Sequence, residues 1–559
     1  MIPAWWLALL GGVVFWAGWH WYSRYLAVRV FRLDAALATP AHRYRDDLDF
    51  LPTHRFVLWG HHFTSVAGAA PIIGPAIAII WGWLPAFLWI LFGTVFIAGI
   101  HDFGTLWASV RHEGRSMGAL TRQAVGPRAR TLFLFIIFFL LLMVNAVFAV
   151  AIATLFIRFP AAVLPYWLQI PIAIAIGVLV YRRGVAVLPL ALLGLALLLG
   201  LIGVGVWLPV ALPSAGLGVP ASAWWVLLML AYGAIASRLP VWLLLQPRDF
   251  LNAHMLFAVL ALLYLGIFIS GATVAAPALN TPPAGTPPLW PLLFVTVACG
   301  AISGFHGLVS SGTSSKQLDR ETDARFVGYL GATGEGLLAL AALLATAAGL
   351  GGLDAWQGHY DSWAQVSSGG IAAFVTGAGN LLSALGLPPV VGTTAVAIMV
   401  VAFAATTLDT SMRLQRFILA EIGAEYRLPA LQNANLATVV TFVSCAALAF
   451  LADPANPGGG GMVLWPLFGT TNQLTAGLSL LVLTLLLRQL GRNYLLTLVP
   501  FVFVATITAW SMCLNVLGFV ATGNGLLVVI GVLILILNLW LLAEGLIALR
   551  QQPAAPVRG

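Results

Sequence analysis

Charge is scarce in this chain. Only 8% of its 559 residues are Asp, Glu, Lys or Arg, against 61% hydrophobic, whereas an ordinary soluble domain carries about 25% charged residues. So few charges cannot clothe a water-exposed surface. Cysteine is scarce too. Cys299, Cys445 and Cys513 each lie in an apolar run with no CxxC spacing, so they read as small core residues, not disulfides or metal ligands. No G-x-x-x-x-G-K-[ST] occurs, so nothing in the chain hydrolyses ATP to drive work. Neither H-E-x-x-H nor G-x-S-x-G is present, so an intramembrane hydrolase lacks its usual signatures and no enzyme activity is expected. The net charge of +8 comes without a basic helix face, which argues against nucleic acid as a partner. The longest loop, 23–55, is too short for the output domain of a nutrient sensor.

What the chain does have is long apolar runs, separated by short basic or Pro/Gly loops. That is the bilayer-spanning pattern, and it predicts an all-α polytopic membrane protein of about fifteen helices embedded in lipid. The runs fall near 3–22, 56–81, 84–110, 131–157, 166–181, 184–206, 222–246, 254–276, 290–315, 326–350, 391–412, 432–453, 462–487, 495–518 and 524–549. The first lacks a positive n-region and reads as a retained helix, not a cleaved signal. With the N-terminus outside, every Lys and Arg except Arg158 and Arg238 falls on the cytoplasmic side, as the positive-inside rule requires. This places position 559 inside and the protein in a bacterial inner membrane. A sixteenth span at 368–388 would invert Arg413, Arg416 and Arg427, so that segment reads as a re-entrant or surface helix on the outer side. The chain divides into 1–55 (first helix and basic loop), a transport core at 56–412 and C-terminal helices at 413–559, all one membrane domain.

A membrane helix tolerates interruption only where the break lines a cavity. Three spans carry Gly/Pro-rich interruptions: Gly60-His61-His62 running on to Ala69-Ala70-Pro71-Ile72-Ile73-Gly74-Pro75, Tyr232-Gly233 through Arg238-Leu239-Pro240, and Cys299-Gly300 through Ser315. Broken helices of this kind form substrate and ion sites in secondary transporters. The second and seventh runs lie five helices apart, the offset of a LeuT-type inverted-repeat core. Substrate contacts are expected from His61, His62, Ala69, Gly74, Arg238, Ser303, His306, Ser310, Ser311 and Thr313. A half-helix N-terminus near Ala69 to Gly74 suits an anionic group.

Ionisable residues inside a membrane are costly and mark function. Asp102, Glu335, His306, Arg238, His61 and His62 all fall roughly 8–15 Å from the cytoplasmic ends of their runs, which points to one polar level shared by several helices. Asp102 and Glu335 are the expected proton carriers. Asp409 comes third, because Arg413 one turn on suits it to a structural pair. His61 and His62 are adjacent, so their side chains diverge by about 100° and do not chelate a metal together.

These stretches resemble the carbon starvation protein A (CstA) family. The resemblance is carried by Leu-Trp-Gly-His-His-Phe (58–63) into Gly-Pro (74–75), Asp102-Phe103, Gly114-Arg115-Ser116, Leu-Pro-Val-Trp-Leu-Leu-Leu-Gln-Pro-Arg-Asp (239–249), residues 298–313, Ala-Thr-Thr-Leu-Asp (405–409) and Leu-Trp-Pro-Leu-Phe-Gly-Thr-Thr-Asn-Gln (464–473). It implies uptake of pyruvate, or alternatively of di- or tripeptides, driven by the proton gradient, with no cofactor. A coupled cation such as sodium is the other source of drive. The chain is shorter than the longest members, and Arg238 is not part of the family pattern.

Overall fold

The computed structural model describes residues 2–46, 49–213, 215–216, 218–240 and 242–551. In lipid every backbone amide and carbonyl must be paired within its own segment, so the apolar runs become helices. They are α1 (Ala4–Ala17), α2 (Arg55–Val66), α3 (Ala70–Trp81), α4 (Trp83–Arg111), α5 (Pro127–Arg158), α6 (Pro160–Arg183), α7 (Leu188–Trp207), α8 (Ala221–Arg238), α9 (Leu245–Ile269), α10 (Leu289–Thr296), α11 (Gly304–Gly312), α12 (Glu321–Ala348), α13 (Trp363–Ser383), α14 (Pro389–Glu425), α15 (Ala434–Leu451), α16 (Trp465–Gln489), α17 (Leu495–Ala521) and α18 (Gly525–Arg550). A two-residue antiparallel hairpin, Ala215–Gly216 with Val219–Pro220, is the one sheet among the described residues. Eleven single helices, and α2 with α3 as one bent pair, are long and apolar enough to cross a membrane. The three remaining runs read from the sequence are occupied by α1, α8 and the α10/α11 pair, which do not meet that length and hydropathy.

α16 is wholly buried and α5, α12 and α14 are largely so, while α7, α15 and α18 are mostly exposed on the outside of the bundle. Cys513 lies exposed on α17, so only Cys299 and Cys445 are core residues. α14 runs unbroken through the boundary drawn at 412 and carries Arg413 and Arg416 as helix residues.

The seventh run is not interrupted. α8 is continuous to Arg238, and Pro240 belongs to the connection that follows. A proline just past a helix end is a stop, not a kink. The broken elements are therefore α2/α3 and α10/α11, and the five-helix offset between breaks is absent. α9 begins at Leu245, earlier than the hydropathy pattern predicts, which takes Arg248 out of the cytoplasmic loop and into a helix.

α13 touches the ends of three helices that lie farthest from the Arg-rich loops. The Trp363 ring meets Trp81 in a tilted contact with ring centroids 5.7 Å apart, Gly370 lies against Ile77, Gly377 against the Ala345 carbonyl, and Leu381 against Gly266. Both of its ends thus lie at the end of the bundle away from the Arg-rich loops. Position 559 lies outside the described residues.

Candidate functional site

α2 stops at Val66 because Pro71 brings no amide to continue the ladder, while it is well tolerated in the first turn of a new helix. The chain bends by 50° and restarts as α3. α10 ends at Thr296, and α11 restarts at Gly304 after an irregular stretch. The two broken spans run antiparallel and pack half against half, α2 on α11 and α3 on α10.

Breaks leave backbone groups without helical partners, and a membrane interior offers no bulk water to satisfy them. α16 supplies partners for the second break. Asn472 Oδ1 accepts the Phe305 amide at 3.0 Å, and Asn472 Nδ2 donates to Ser303 Oγ and Cys299 Sγ, each at 3.0 Å. Gln473 Nε2 donates to the Phe294 carbonyl at 2.6 Å. The Thr94 hydroxyl donates to the Gly300 carbonyl at 3.2 Å. Thr94 opens a π-helical turn in α4, Thr94–Ala98, whose Val95 carbonyl accepts the Tyr329 hydroxyl at 3.1 Å. Tyr329 itself closes a π-helical turn at the start of α12. Such turns recur where a helix is re-aimed at a functional site.

The re-aimed helices converge on a buried array. His101 Nδ1 lies 2.7 Å from Asp102 Oδ1, and His306 Nδ1 lies 2.7 Å from Asp102 Oδ2. The other imidazole nitrogen of His306 approaches Glu335 Oε2 at 2.8 Å, off the line of a good hydrogen bond. His62 Nδ1 is 2.8 Å from Ser314 Oγ, and the His62 ring lies against Gly331 on α12. All five titratable groups are buried. His62 Nε2, His101 Nε2, Glu335 Oε1 and Ser310 Oγ have no hydrogen-bond partner among the described residues. Orphan polar atoms of this kind are costly in a low-dielectric interior.

The structure thus joins His62, Asp102, His306 and Glu335, four of the groups read at one depth. It separates the others. Arg238 is exposed at the end of α8, outside the array. His61 faces the other side of α2, with Nδ1 3.9 Å from Asp249 Oδ2. Asp409 does not pair with Arg413. Its carboxylate is clamped by Arg248, through Nη1 and, at 3.1 Å, Nη2, while Arg413 donates to the Leu239 carbonyl at 2.6 Å. Gly74 is a packing position, since a Cβ there would strike the Thr296 carbonyl. Ser303 is committed to Asn472 as a cap. Ala69 and Ala70 open α3, and their amides find no acceptor among the described residues. The buried Thr407 hydroxyl lies beside this break, against Gly68, also unpartnered.

Sequence reasoning missed Arg248, Asp249, Asn472 and Gln473. The signal for the first two was present: Gln246-Pro247 just ahead of them is a helix start, with proline in the first turn.

A cavity of about 640 Å³ opens toward the face carrying the Arg-rich loops, a volume in the range of small-ligand pockets. Its mouth lies between Asp49, Lys316 and Glu421, and its wall includes His61, Ser65, Asp249, Ser311 and Thr313.

Residues 3–351 and 354–511 match the family described as Carbon starvation protein CstA. The chain belongs to this family. Among CstA-family relatives, the pyruvate/proton symporter BtsT of Escherichia coli is 32% identical over 596 residues, covering 92% of this chain and 82% of its own. The peptide transporter CstA of Campylobacter jejuni is 33% identical over 562 residues, covering 91% and 80%. The peptide transporter CstA of Mycobacterium tuberculosis is 34% identical over 553 residues, covering 88% and 72%. In fold, this CstA-family chain is similar to a manganese transporter of Eremococcus coleocola, at a TM-score of 0.50 and 12% identity over 88% of this chain and 95% of that one. It is a multi-pass membrane transporter.

Proposed function

We propose that the chain imports a small carboxylate, pyruvate first among candidates, together with protons across a bacterial inner membrane, with its N-terminus outside and C-terminus cytoplasmic. The observation that carries this reading is the buried array of Asp102, Glu335, His101, His306 and His62. It joins two carboxylates through imidazoles, and no Lys or Arg contacts it among the described residues. Such a chain gains or loses a proton by redistributing hydrogen bonds, without breaking a fixed ion pair. Asp102 and Glu335 are its carriers. Asp409 is held by Arg248 and is not one.

The substrate carboxylate is received at the positive end of α3, by the Ala69 and Ala70 amides, with Thr407 beside them. His61, Ser311 and Thr313 line its way to the cytoplasm. The working unit extends past residue 412, because Asn472 and Gln473 hold the second break. Relatives named as peptide transporters support a second substrate class, di- or tripeptides, on the same machinery.

The test is uptake of labelled pyruvate and of a labelled dipeptide into proteoliposomes, with acid outside and at equal pH. Pyruvate should accumulate only with acid outside. Accumulation of the dipeptide alone would favour the second class, and uptake that follows a sodium gradient instead would remove proton coupling.

A further inference from the structure

A second concentration of buried charge sits across α2 from the Asp102 array, on the side that His61 faces. One guanidinium, Arg248, meets two carboxylates there. Asp409 on α14 takes both of its terminal nitrogens. Asp249 Oδ1 lies 3.2 Å from Arg248 Nη2, and its other oxygen lies 3.9 Å from His61. The remaining neighbours are neutral: the Tyr232 hydroxyl from α8, and the Thr406 hydroxyl from α14 at 3.2 Å from Arg248 Nη2. Arg413 shares the cavity wall, but its guanidinium is committed to the Leu239 carbonyl.

Arg413 keeps its charge but makes no ion pair with either carboxylate, so within contact distance the group holds one carboxylate more than Arg248 pairs, in a place where an unpaired charge is costly. One proton, on Asp249 or on His61, settles the balance. Asp249 and His61 line the cavity, and Arg248 and Asp409 do not. The proton thus exchanges with water from the cytoplasmic side while the ion pair behind it stays intact. His62 faces the Asp102 array and His61 faces this group, so a tilt of α2 about its break at Gly68 moves against both at once.

We propose that Asp249, with His61, is a second proton-carrying site, separate from the Asp102 array, and that the transporter moves two protons with each monovalent carboxylate. This rests on the carboxylate–proton reading above. One anion and two protons carry one positive charge inward, so the cycle is electrogenic. The array alone would make it electroneutral.

The experiment is a reversal measurement in proteoliposomes of the full chain. Labelled pyruvate is set at a fixed gradient, a potassium diffusion potential is imposed through valinomycin, and the pH gradient at which net flux vanishes is read at several potentials. That point gives protons per pyruvate whatever the turnover rate, so a slow variant remains informative. The expected result is a ratio of two for the natural chain and one for Asp249→Asn. A ratio of one in the natural chain overturns the proposal, even where the variant does not fold. So does a ratio of two retained in Asp249→Asn. Absence of any proton-driven pyruvate uptake in the natural chain would instead remove the reading beneath it.

Discussion

Asn472 makes three contacts across one helix break. Its replacement by Ala leaves the buried Phe305 amide unpaired and the Ser303 hydroxyl with only the Cys299 thiol at 3.7 Å, and an orphaned buried group costs about 1–3 kcal/mol. The purified Asn472→Ala variant should melt at lower temperature in detergent, with or without substrate. Gly74→Ala drives a methyl into the Thr296 backbone, and overpacking of this sort costs about 1–3 kcal/mol. It too should lower the melting temperature; an unchanged midpoint would mean that α10 gives way at that point. In the sequence, a single Gly here reads as close packing, while Gly68 to Pro75 as a unit reads as a functional break. Only the position of α10 separates the two, and local sequence does not carry that information. His61 and His62 were legible for the opposite reason. The divergence of adjacent helix residues is local geometry, and the structure places them on opposite sides of α2.

Arg248 and Asp409 join α9 to α14 through a fully buried pair. Removing one partner of such a pair costs about 3–5 kcal/mol, because the other is left charged and unpaired. Arg248→Met and Asp409→Leu should each destabilise strongly, and the double variant should be less unstable than the sum of the two, as expected for residues in contact. Additive thermal shifts would contradict a coupled pair. Two helix breaks were legible, because proline and glycine lie inside apolar runs of full length. The reading failed at α8. Gly233 there fills a close approach to Met412 within a continuous helix, and Pro240 stops the helix instead of bending it. Arg248 went to a loop because a charged pair at a helix start depresses hydropathy in the same way as a loop does.

Over the whole molecule, the arginine distribution predicts which face is cytoplasmic, and the polar cavity of about 640 Å³ opens on that face. Thr313→Cys should therefore react with a membrane-impermeant thiol reagent from the cytoplasmic side, and pyruvate should slow the reaction. Labelling only from outside would reverse the orientation. The helical membrane class was legible from composition, since lipid leaves few alternatives. The gathering of Asp102, His306 and Glu335 was legible only as a shared depth, because which helices are neighbours depends on contacts far apart in the chain. The central claim is that this gathered array carries the proton. Its most direct test is Asp102→Asn introduced into the Asp249→Asn variant in proteoliposomes, where the array is the one remaining proton site, comparing accumulation of labelled pyruvate driven by a pH gradient with exchange of labelled for unlabelled pyruvate at equal pH. The account predicts that accumulation is abolished while exchange persists. Accumulation that continues at the natural level would contradict it.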